Sequence, residues 1–411
     1  MSKISRRTFV SLTVSTVAAS AFASKQLESG KVAYYVANGS EVIHYDVDVA
    51  KAVLTKRNSI MVPTPVQYAW PHANRRSIYL ACSDQAKQHY LATLSIDQQT
   101  GELSKLGEWT TLPDRPIHIS TDIPSEFVLV AFNAPSNVRV FRVNKDLTVG
   151  SEVPQPGITD KGNFCHQIRV TPDNKHAIMV TRGVSAAGNK PEDPGALKIF
   201  DYSQGVLSNE ASIAPNGGFG FGPRHLDFHP TKPWVYVSLE RESKLFVYKL
   251  NNGRIDGDAV FQKDTVSDPA ILKNPRQLGG AIHMHPNGRF VYVANRNDGT
   301  TDFNGKKVLI PGENTVVVYS INQTTGEPTA IQFADTRKVN PRTFALDPDA
   351  KFMTVQHIIP MNVRDGENVK VEPAGVTTFR VGADGKLTYV DNYDLEVKGA
   401  DQVLWGNMVR L

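Results

Sequence analysis

Residues 222–237 read GPRHLDFHPTKPWVYV, and this stretch has counterparts in three other places along the chain. The counterparts are AIHMHPNGRFVYV at 281–293, PRTFALDPDAKFMTV at 341–355 and IRVTPDNKHAIMV at 168–180. Each copy has a short strand of alternating apolar residues, a turn rich in Pro, Asp, Asn or Gly, and a second β-rich strand. This pattern is typical of a β-hairpin, so a repeated hairpin is expected to determine the fold.

The hairpins recur at a regular distance. The turn prolines Pro172, Pro230, Pro286 and Pro348 are 58, 56 and 62 residues apart. A third strand follows each hairpin, as at residues 244–249, and a turn then leads to a fourth strand. Four strands per unit are typical of a propeller blade, and no stretch after residue 23 has the periodicity of an amphipathic helix. The sequence therefore predicts an all-β fold of the β-propeller type.

The two ends of the chain decide the number of blades. Four clear copies, with two weaker ones that begin near Val66 and at Ile117, make six complete units. Residues 32–60 supply three strands of another unit, and Val403–Val409 supplies its missing innermost strand. Pairing the two termini in one blade removes free sheet edges. We therefore predict a single seven-bladed domain over residues 24–411, with four antiparallel strands per blade.

Residues 1–23 are expected to form a signal peptide outside this domain. Ser5-Arg6-Arg7-Thr8-Phe9-Val10 precedes an uncharged run through Ala23, a pattern that resembles a twin-arginine export signal. The run of about 15 residues is too short for a membrane-spanning helix. We predict a periplasmic or otherwise exported protein that starts near Ser24, uses the twin-arginine export machinery and has no stable membrane insertion. A basic, disordered N-terminus is the alternative.

The charge of the chain argues against nucleic acid as a partner. The 411 residues carry a formal net charge of +4, and Lys3, Arg6 and Arg7 in the leader account for three of these charges, which leaves about +1. Proteins that bind nucleic acid usually carry a strongly basic surface.

No cofactor and no metal are expected. Cys82 and Cys165 lack the spacing of zinc or haem motifs, and we expect them to be buried, structural thiols. His283-x-His285 places two imidazoles on one side of a strand, but a structural role in the repeat is the favoured interpretation.

The hairpin register predicts which side chains meet at one end of the central channel. Arg224 and Glu240 are equidistant from residue 232 in the turn, so we expect them to be cross-strand neighbours. The same reasoning gives three further pairs, namely His166 with Arg182, Gly280 with Arg296 and Ile117 with Asn133.

These pairs collect polar side chains around one mouth of the channel. The predicted set is His118, Asn133, His166, Arg182, Arg224, Glu240 and Arg296, with Arg342 as a further cation. Like charges so close together are unfavourable without an anionic partner. The set indicates an anion site with an acid–base group, and a structural ring of ion pairs between blades is the alternative.

Three long loops are predicted to open onto the same face of the propeller. They span Gly183–Gly195, Asn297–Asn314 and Ile359–Gly375. Long loops in compact domains are often functional, so these loops could form the walls of a pocket over the channel. Tolerated surface insertions are the alternative interpretation.

The chain resembles a known family at these residues. The run from Gly222 to Glu240, together with Val291-Tyr292-Val293-Ala294-Asn295-Arg296, is similar to the β-propeller 6-phosphogluconolactonases and the related fungal carboxymuconate cyclases. The resemblance implies a site formed by Arg224, Glu240, Arg296 and His166. One position departs from the family pattern, because Phe164 stands where the family usually has the first histidine of a His-x-His pair.

The resemblance implies a lactone hydrolase that acts on a sugar lactone or another small anionic lactone. Glu240, or His166, would be the general base, and Arg224 and Arg296 would hold an anion and stabilise the developing negative charge. His118, Asn133, Arg182 and Arg342 would contribute to substrate binding. The alternatives are a lactonising cyclase and a non-catalytic exported propeller that binds a small anion or a protein partner.

Overall fold

The computed structural model describes residues 30–411 except residues 85 and 256. These residues form seven antiparallel sheets of four or five strands, arranged as the blades of a propeller. The predicted all-β, seven-bladed fold is confirmed. The predicted signal peptide and the predicted start near Ser24 lie outside the described residues.

The strands form the blades in chain order, beginning at the N-terminus. Blade 1 contains β1 (Val32–Asn38), β2 (Glu41–Asp48), β3 (Val53–Met61) and the last strand of the chain, β34 (Val403–Arg410). Blade 2 contains β4 (Val66–Pro71), β5 (Ser77–Ser83), β6 (His89–Ile96), β7 (Leu103–Lys105) and β8 (Thr110–Thr111). Blade 3 contains β9 (Pro116–Thr121), β10 (Phe127–Asn133), β11 (Ser136–Val143) and β12 (Val149–Val153). Blade 4 contains β13 (Cys165–Val170), β14 (His176–Thr181), β15 (Ala196–Ser203) and β16 (Val206–Ile213).

The remaining three blades follow the same order. Blade 5 contains β17 (Pro223–Phe228), β18 (Trp234–Leu239), β19 (Lys244–Asn251), β20 (Arg254–Ile255) and β21 (Phe261–Asp264). Blade 6 contains β22 (Gln277–Met284), β23 (Phe290–Asn297), β26 (Thr315–Ile321) and β27 (Pro328–Asp335). Blade 7 contains β28 (Pro341–Leu346), β29 (Phe352–His357), β32 (Gly375–Val381) and β33 (Leu387–Asp394). Two short 3-10 helices, Pro215–Gly218 and Pro269–Lys273, precede blades 5 and 6.

Blade 1 closes the ring by joining the two ends of the domain. β34 pairs antiparallel with β1, with Met408 opposite Tyr34, and the order across the sheet is β3-β2-β1-β34. The amide of Leu411 also donates to the carbonyl of Lys31 at 2.9 Å. The innermost strand of blade 1 therefore comes from the C-terminus, as predicted.

The hydrophobic core lies between neighbouring blades. Tyr236 of blade 5 and Val293 of blade 6 belong to one buried cluster, and Phe379 of blade 7 shares another cluster with Tyr292 of blade 6. Alternate residues of each strand pack against the two adjacent sheets, so both faces of a blade are apolar. This packing fixes the positions of the inner strands, which line the channel.

Each innermost strand carries a β-bulge near the end where it begins, which we call the mouth of the channel. A bulged residue is left out of the pairing ladder, and its side chain is redirected. The bulged residues, in order around the ring from blade 1, are Leu404, Gln67, Ile117, His166, Arg224, Gly280 with Ala281, and Arg342.

The bulges correct the predicted register. Leu278, rather than Gly280, lies opposite Arg296, because β22 carries two unpaired residues before Ile282. Ile117 is likewise unpaired in its bulge, and Asn133 pairs with Ser136. His166 and Arg224 are bulged as well, and the backbone places Arg182 opposite Phe164 and Glu240 opposite Gly222. All four predicted pairings were therefore wrong as ladder pairs, because equal distances from the turn identify partners only in a hairpin without a bulge. Arg224 and Glu240 are still neighbours, since their side chains form an ion pair at 3.2 Å.

Two of the three predicted loops contain hairpins of their own. β24 (Thr300–Phe303) pairs with β25 (Lys306–Leu309), and β30 (Met361–Asp365) pairs with β31 (Asn368–Glu372). The hairpins touch, because the Asn362 side chain donates to the carbonyl of Lys307 at 2.9 Å. Blades 6 and 7 thus share one structured wall.

Both cysteines lie in the interior of the blades. Cys82 and Cys165 are buried free thiols, as predicted, and burial raises the pKa of both. Among the residues described, no helix has the length and apolar character needed to cross a membrane.

Candidate functional site at the channel mouth

Glu240 lies at the centre of a cluster of three arginines from three blades. Its Oε2 atom is 2.5 Å from Nη1 of Arg182, and its Oε1 atom is 3.2 Å from Nε of Arg224. Oε1 also accepts a hydrogen bond from Nη2 of Arg296. Both carboxylate oxygens are therefore occupied by guanidinium groups of blades 4, 5 and 6.

The backbone holds Glu240 at the junction of blades 5 and 6. Glu240 directly follows β18, its amide donates to Gly222 at 2.8 Å, and its carbonyl accepts from the amide of Gly279 at 2.7 Å. Gly279 allows this close approach, because a Cβ atom there would lie 2.4 Å from the carbonyl oxygen of Leu239. The glycine at this position thus brings Arg296 of blade 6 close to the carboxylate.

The Glu240 carboxylate is strongly stabilised in its ionised form. Only 2% of the residue is exposed, and burial alone would raise its pKa. The charges of Arg296, Arg224 and Arg182 outweigh burial and hold the pKa of Glu240 well below its usual range. Because guanidinium groups occupy both of its oxygens, the Glu240 carboxylate offers no free position from which to accept a proton from water.

His166 is a neutral imidazole beside this cluster. It occupies the bulge of β13, and burial together with the nearby charge of Arg224 lowers its pKa well below the usual value. Its Nδ1 atom is buried and has no hydrogen-bond partner in the described part of the chain. The ring of His166 packs edge-on against that of His225, with centroids 5.0 Å apart.

Arg342 is a half-buried cation without a carboxylate partner. It occupies the bulge of β28, and no described residue forms a hydrogen bond or an ion pair with its side chain. Burial and the charge of Arg296 lower the pKa of Arg342 to about 10, so it remains charged at neutral pH. Arg182 also has an unused donor, since its buried Nε atom forms no hydrogen bond with any described residue.

The structure does not bring His118 or Asn133 into contact with Glu240. His118 follows the bulge of β9 and lies deeper in the channel, where its ring is 4.3 Å from that of Tyr68 and 5.8 Å from that of His225. Asn133 ends β10 at the mouth and is half-buried. The predicted site residues therefore lie at two levels. Most are at the mouth, whereas His118 belongs to a layer of aromatic and imidazole rings below it.

Phe164 contributes to the site in a way that the sequence did not predict. It has a φ of 57°, and its ring centroid is 4.2 Å from Cζ of Arg182. Positive φ is rare for a bulky residue and often marks a functional or strained position. Stacking on Phe164 fixes the plane of the Arg182 guanidinium, and the departure from the family pattern at this position is the only sequence signal for it.

One cluster elsewhere has the composition of a metal site. His176, Asp201 and Glu210 have ligand atoms within 4.8 Å of one another. Arg254 donates to all three, at 3.1 Å to His176, 3.3 Å to Asp201 and 2.5 Å to Glu210. The guanidinium of Arg254 therefore already supplies the positive charge that a metal ion would bring.

The mouth of the channel has the properties of a binding site for an anionic ligand. Arg182, Arg224, Arg296 and Arg342 surround the carboxylate of Glu240, and the neighbouring imidazole of His166 is neutral. Surplus buried positive charge is unfavourable unless an anion compensates it. The arrangement can therefore bind a carboxylate or phosphate and stabilise an oxyanion.

Two 6-phosphogluconolactonases are similar in sequence to this chain over most of its length. The 6-phosphogluconolactonase of Bacillus subtilis is 28% identical over 340 residues, which cover 80% of this chain and 87% of that protein. The 6-phosphogluconolactonase of Pectobacterium carotovorum is 29% identical over 267 residues, which cover 65% of this chain and 74% of that protein.

The solved structures give the same fold. The periplasmic gluconolactonase of Pseudomonas aeruginosa has a TM-score of 0.67 at 16% identity, covering 91% of this chain and 99% of that one. Residues 30–364 match the model of the lactonase family with a seven-bladed β-propeller. Because this match covers most of the chain, the protein belongs to the seven-bladed β-propeller lactonase family.

Proposed function

We propose that this protein hydrolyses lactones that carry an anionic group. The observation that supports this proposal is the cluster of arginines at the mouth, where, among the described residues, Glu240 alone offsets Arg182, Arg224 and Arg296, and Arg342 is a further cation. Surplus buried positive charge favours an anionic ligand, to which the unpartnered His166 Nδ1 and Arg182 Nε atoms can form hydrogen bonds. A base and a cation at one mouth suit attack of water on a polarised carbonyl.

The proposed reaction uses His166 as the base. Neutral His166 takes a proton from a water molecule, and the water oxygen forms a bond to the lactone carbonyl carbon. The carbonyl oxygen becomes an oxyanion, which the guanidinium groups of Arg182 and Arg224 stabilise. When the ring C–O bond breaks, the His166 imidazolium returns its proton to the ring oxygen, which leaves as a hydroxyl group. The product is a hydroxy acid, and water is the only co-reactant.

Glu240 has a positioning role in this proposal. Its oxygens accept from Arg182, Arg224 and Arg296, so they are not free to accept a proton from water. Its charge offsets part of the repulsion between these arginines and fixes their orientation. Of the two bases that the sequence suggests, the geometry favours His166.

The similar proteins support a sugar lactone as the substrate class. Two of them are named 6-phosphogluconolactonase, and the periplasmic structural neighbour is named gluconolactonase. A charged sugar lactone would also compensate the surplus positive charge at the mouth. The reverse reaction, closure of an unsaturated diacid to a lactone, would use the same groups.

A non-catalytic anion-binding propeller is the second candidate. The observation that favours it is the enclosure of Glu240, which is 2% exposed and bound by three guanidinium groups. Such a cluster could serve only to present positive charge to a ligand. Measured turnover distinguishes the two candidates.

Hydrolysis of a panel of sugar lactones by the wild type and by His166→Asn tests the proposal. The rate is measured as proton release at constant pH. We expect the wild type to hydrolyse at least one lactone and the variant to lose about 100-fold in kcat, since a general base typically contributes that much. Affinity for the ring-opened acid should change by less than about threefold, because the arginines remain.

His285→Asn is a matched control for this experiment. His285 lies in the turn beyond β22, where its Nδ1 atom accepts from the amide of Asn287 at 3.1 Å, and we expect wild-type turnover. Wild-type turnover by His166→Asn would contradict the base assignment. If the wild-type protein hydrolyses no lactone but binds the acids, the binding candidate replaces the enzyme.

We also propose that the protein is exported through the twin-arginine route to the periplasm. The support is the sequence from Ser5 to Ala23, with its paired arginines and uncharged run. Fractionation of cells that produce the wild type or the double variant Arg6→Lys, Arg7→Lys tests the route. Equal periplasmic amounts of the two proteins would argue against it.

A further inference from the structure

A second cavity lies at the end of the channel opposite the mouth, between the inner strands of blades 1, 2, 6 and 7. Its volume is about 310 Å³, at the lower end of the range of about 300–1,000 Å³ that small-molecule sites span. Pro71, Pro286 and Pro348 line its edge, at or just beyond the ends of β4, β22 and β28 that are farthest from the bulges. Pro286 and Pro348 are exposed, so the cavity opens to solvent on this face.

Four aromatic side chains form much of the wall of this cavity. They are Tyr68 and Trp70 of β4, Phe344 of β28 and Trp405 of β34. Two of the four tryptophans of the chain thus line one small cavity. The ring of Tyr68 also contacts that of His118 at 4.3 Å, which places the cavity below the layer of rings under the mouth.

One side of the Trp70 ring is already in contact with a cation from the protein itself. Cζ of Arg169 lies 4.6 Å from the centroid of this ring. Arg169 also lies 3.6 Å from Oδ1 of Asp227, which holds the guanidinium in place. The faces of aromatic rings attract cations, and tryptophan does so most strongly. The aromatic wall therefore has the electrostatic property that a cationic ligand requires.

The wall of the cavity also carries a carboxylate, that of Asp347. Of the described residues that line the cavity, none is a lysine or an arginine, and no described lysine or arginine forms an ion pair with Asp347. His283 is the wall residue that can add positive charge, and its Nδ1 atom lies 3.9 Å from Oδ2 of Asp227. Clefts lined by charge of one sign attract ligands of the opposite sign. The cavity thus differs in polarity from the arginine-rich mouth.

The other polar side chains of the wall have their acceptor atoms occupied. The two oxygens of Asp347 accept from three backbone amides of the turn that follows, at 2.5, 2.6 and 3.0 Å. Oδ1 of Asn407 accepts from the amide of the next residue at 2.9 Å, and the hydroxyl of Thr343 donates to Oε1 of Gln356 at 3.0 Å. A primary ammonium has three N–H donors that need acceptors, whereas a quaternary ammonium has none. The wall therefore suits a cation without N–H groups.

We propose that this cavity binds a small organic cation with a quaternary ammonium group, such as a trimethylammonium compound. Its methyl groups would contact the rings of Tyr68, Trp70, Phe344 and Trp405, and the carboxylate of Asp347 would offset its charge. The ligand would enter from the face opposite the mouth. The inference therefore does not depend on the proposed hydrolysis of lactones.

Calorimetric titration with choline and with 3,3-dimethylbutan-1-ol tests the site. The alcohol has the shape of choline, but a carbon atom replaces the charged nitrogen. We expect the wild type to bind choline at least about tenfold more tightly than the alcohol, which is the ratio that a desolvated cation–π contact produces. Trp70→Leu should lose most of this preference, because leucine keeps an apolar surface but has no aromatic face.

Trp109→Leu is the matched control. Trp109 is also half-buried and has a cation beside its ring, Nζ of Lys105 at 4.7 Å, but it does not line the cavity. This variant should keep the preference for choline. Trp405→Phe is a second variant, which retains a ring that attracts cations less strongly and should reduce the preference even if Trp70→Leu does not fold. Equal wild-type affinity for the two compounds, no binding of choline, or an unchanged preference in the Trp70 and Trp405 variants would overturn the inference.

Discussion

Glu240 joins three blades through a single side chain. Its carboxylate accepts hydrogen bonds from Arg182, Arg224 and Arg296, and it is almost completely removed from water. Desolvation of these groups is unfavourable, and only their mutual attraction compensates for it. A change at Glu240 is therefore expected to affect stability and activity together, whereas loss of a simple catalytic base would affect activity alone.

Glu240→Gln should lower the free energy of unfolding by about 3–5 kcal/mol, because it leaves buried cations without a counter-charge. Urea denaturation measures this change, and lactone turnover measured on the folded variant should also fall. The control is Glu152→Gln, since Glu152 forms an exposed pair with Arg139 at 2.9 Å and should change stability by less than about 1 kcal/mol. An inactive Glu240→Gln with wild-type stability would instead make Glu240 the base.

The inner strands explain why the fold could be read from the sequence. The repeated hairpin, with its turn prolines and its two apolar strands, specifies six of the blades locally. The closing strand β34 pairs with the distant β1, and it could be predicted because residues 32–60 supply only three of the four strands of a blade. The convergence of Arg224 and Glu240 could be predicted for the same reason, because both residues lie in one hairpin.

The bulges explain why the details of the site could not be predicted. A bulge shifts the register by one residue or more without a distinctive residue pattern. As a result, Arg296 lies opposite Leu278, and His118 lies below the mouth. The contact from Arg115 to Gln67 joins neighbouring blades, which a hairpin repeat does not specify. The positive φ of Phe164 is a local feature of the backbone that no residue pattern marks.

The seven blades form one ring, and different blades contribute different kinds of side chain to it. Blades 4, 5 and 6 supply His166 and the arginines around Glu240. Blades 1, 2 and 3 supply Leu404, Gln67 and Arg115, which line a separate cavity of about 1060 Å³. Arg342 of blade 7 completes the ring between these two parts. A closed propeller can combine residues that are distant in sequence in this way, because every blade presents a bulged residue to the same mouth.

The most direct test of this account compares two lactones that share one ring, glucono-δ-lactone and its 6-phosphate ester. The measurement is kcat/KM from proton release at pH 7, corrected for spontaneous hydrolysis. An arginine-rich mouth predicts hydrolysis of both and a kcat/KM at least about tenfold higher for the phosphate ester, the value of one charge-assisted contact. Equal or lower kcat/KM for the ester, or no acceleration of either lactone by the folded protein, would contradict the claim that the mouth hydrolyses anionic lactones.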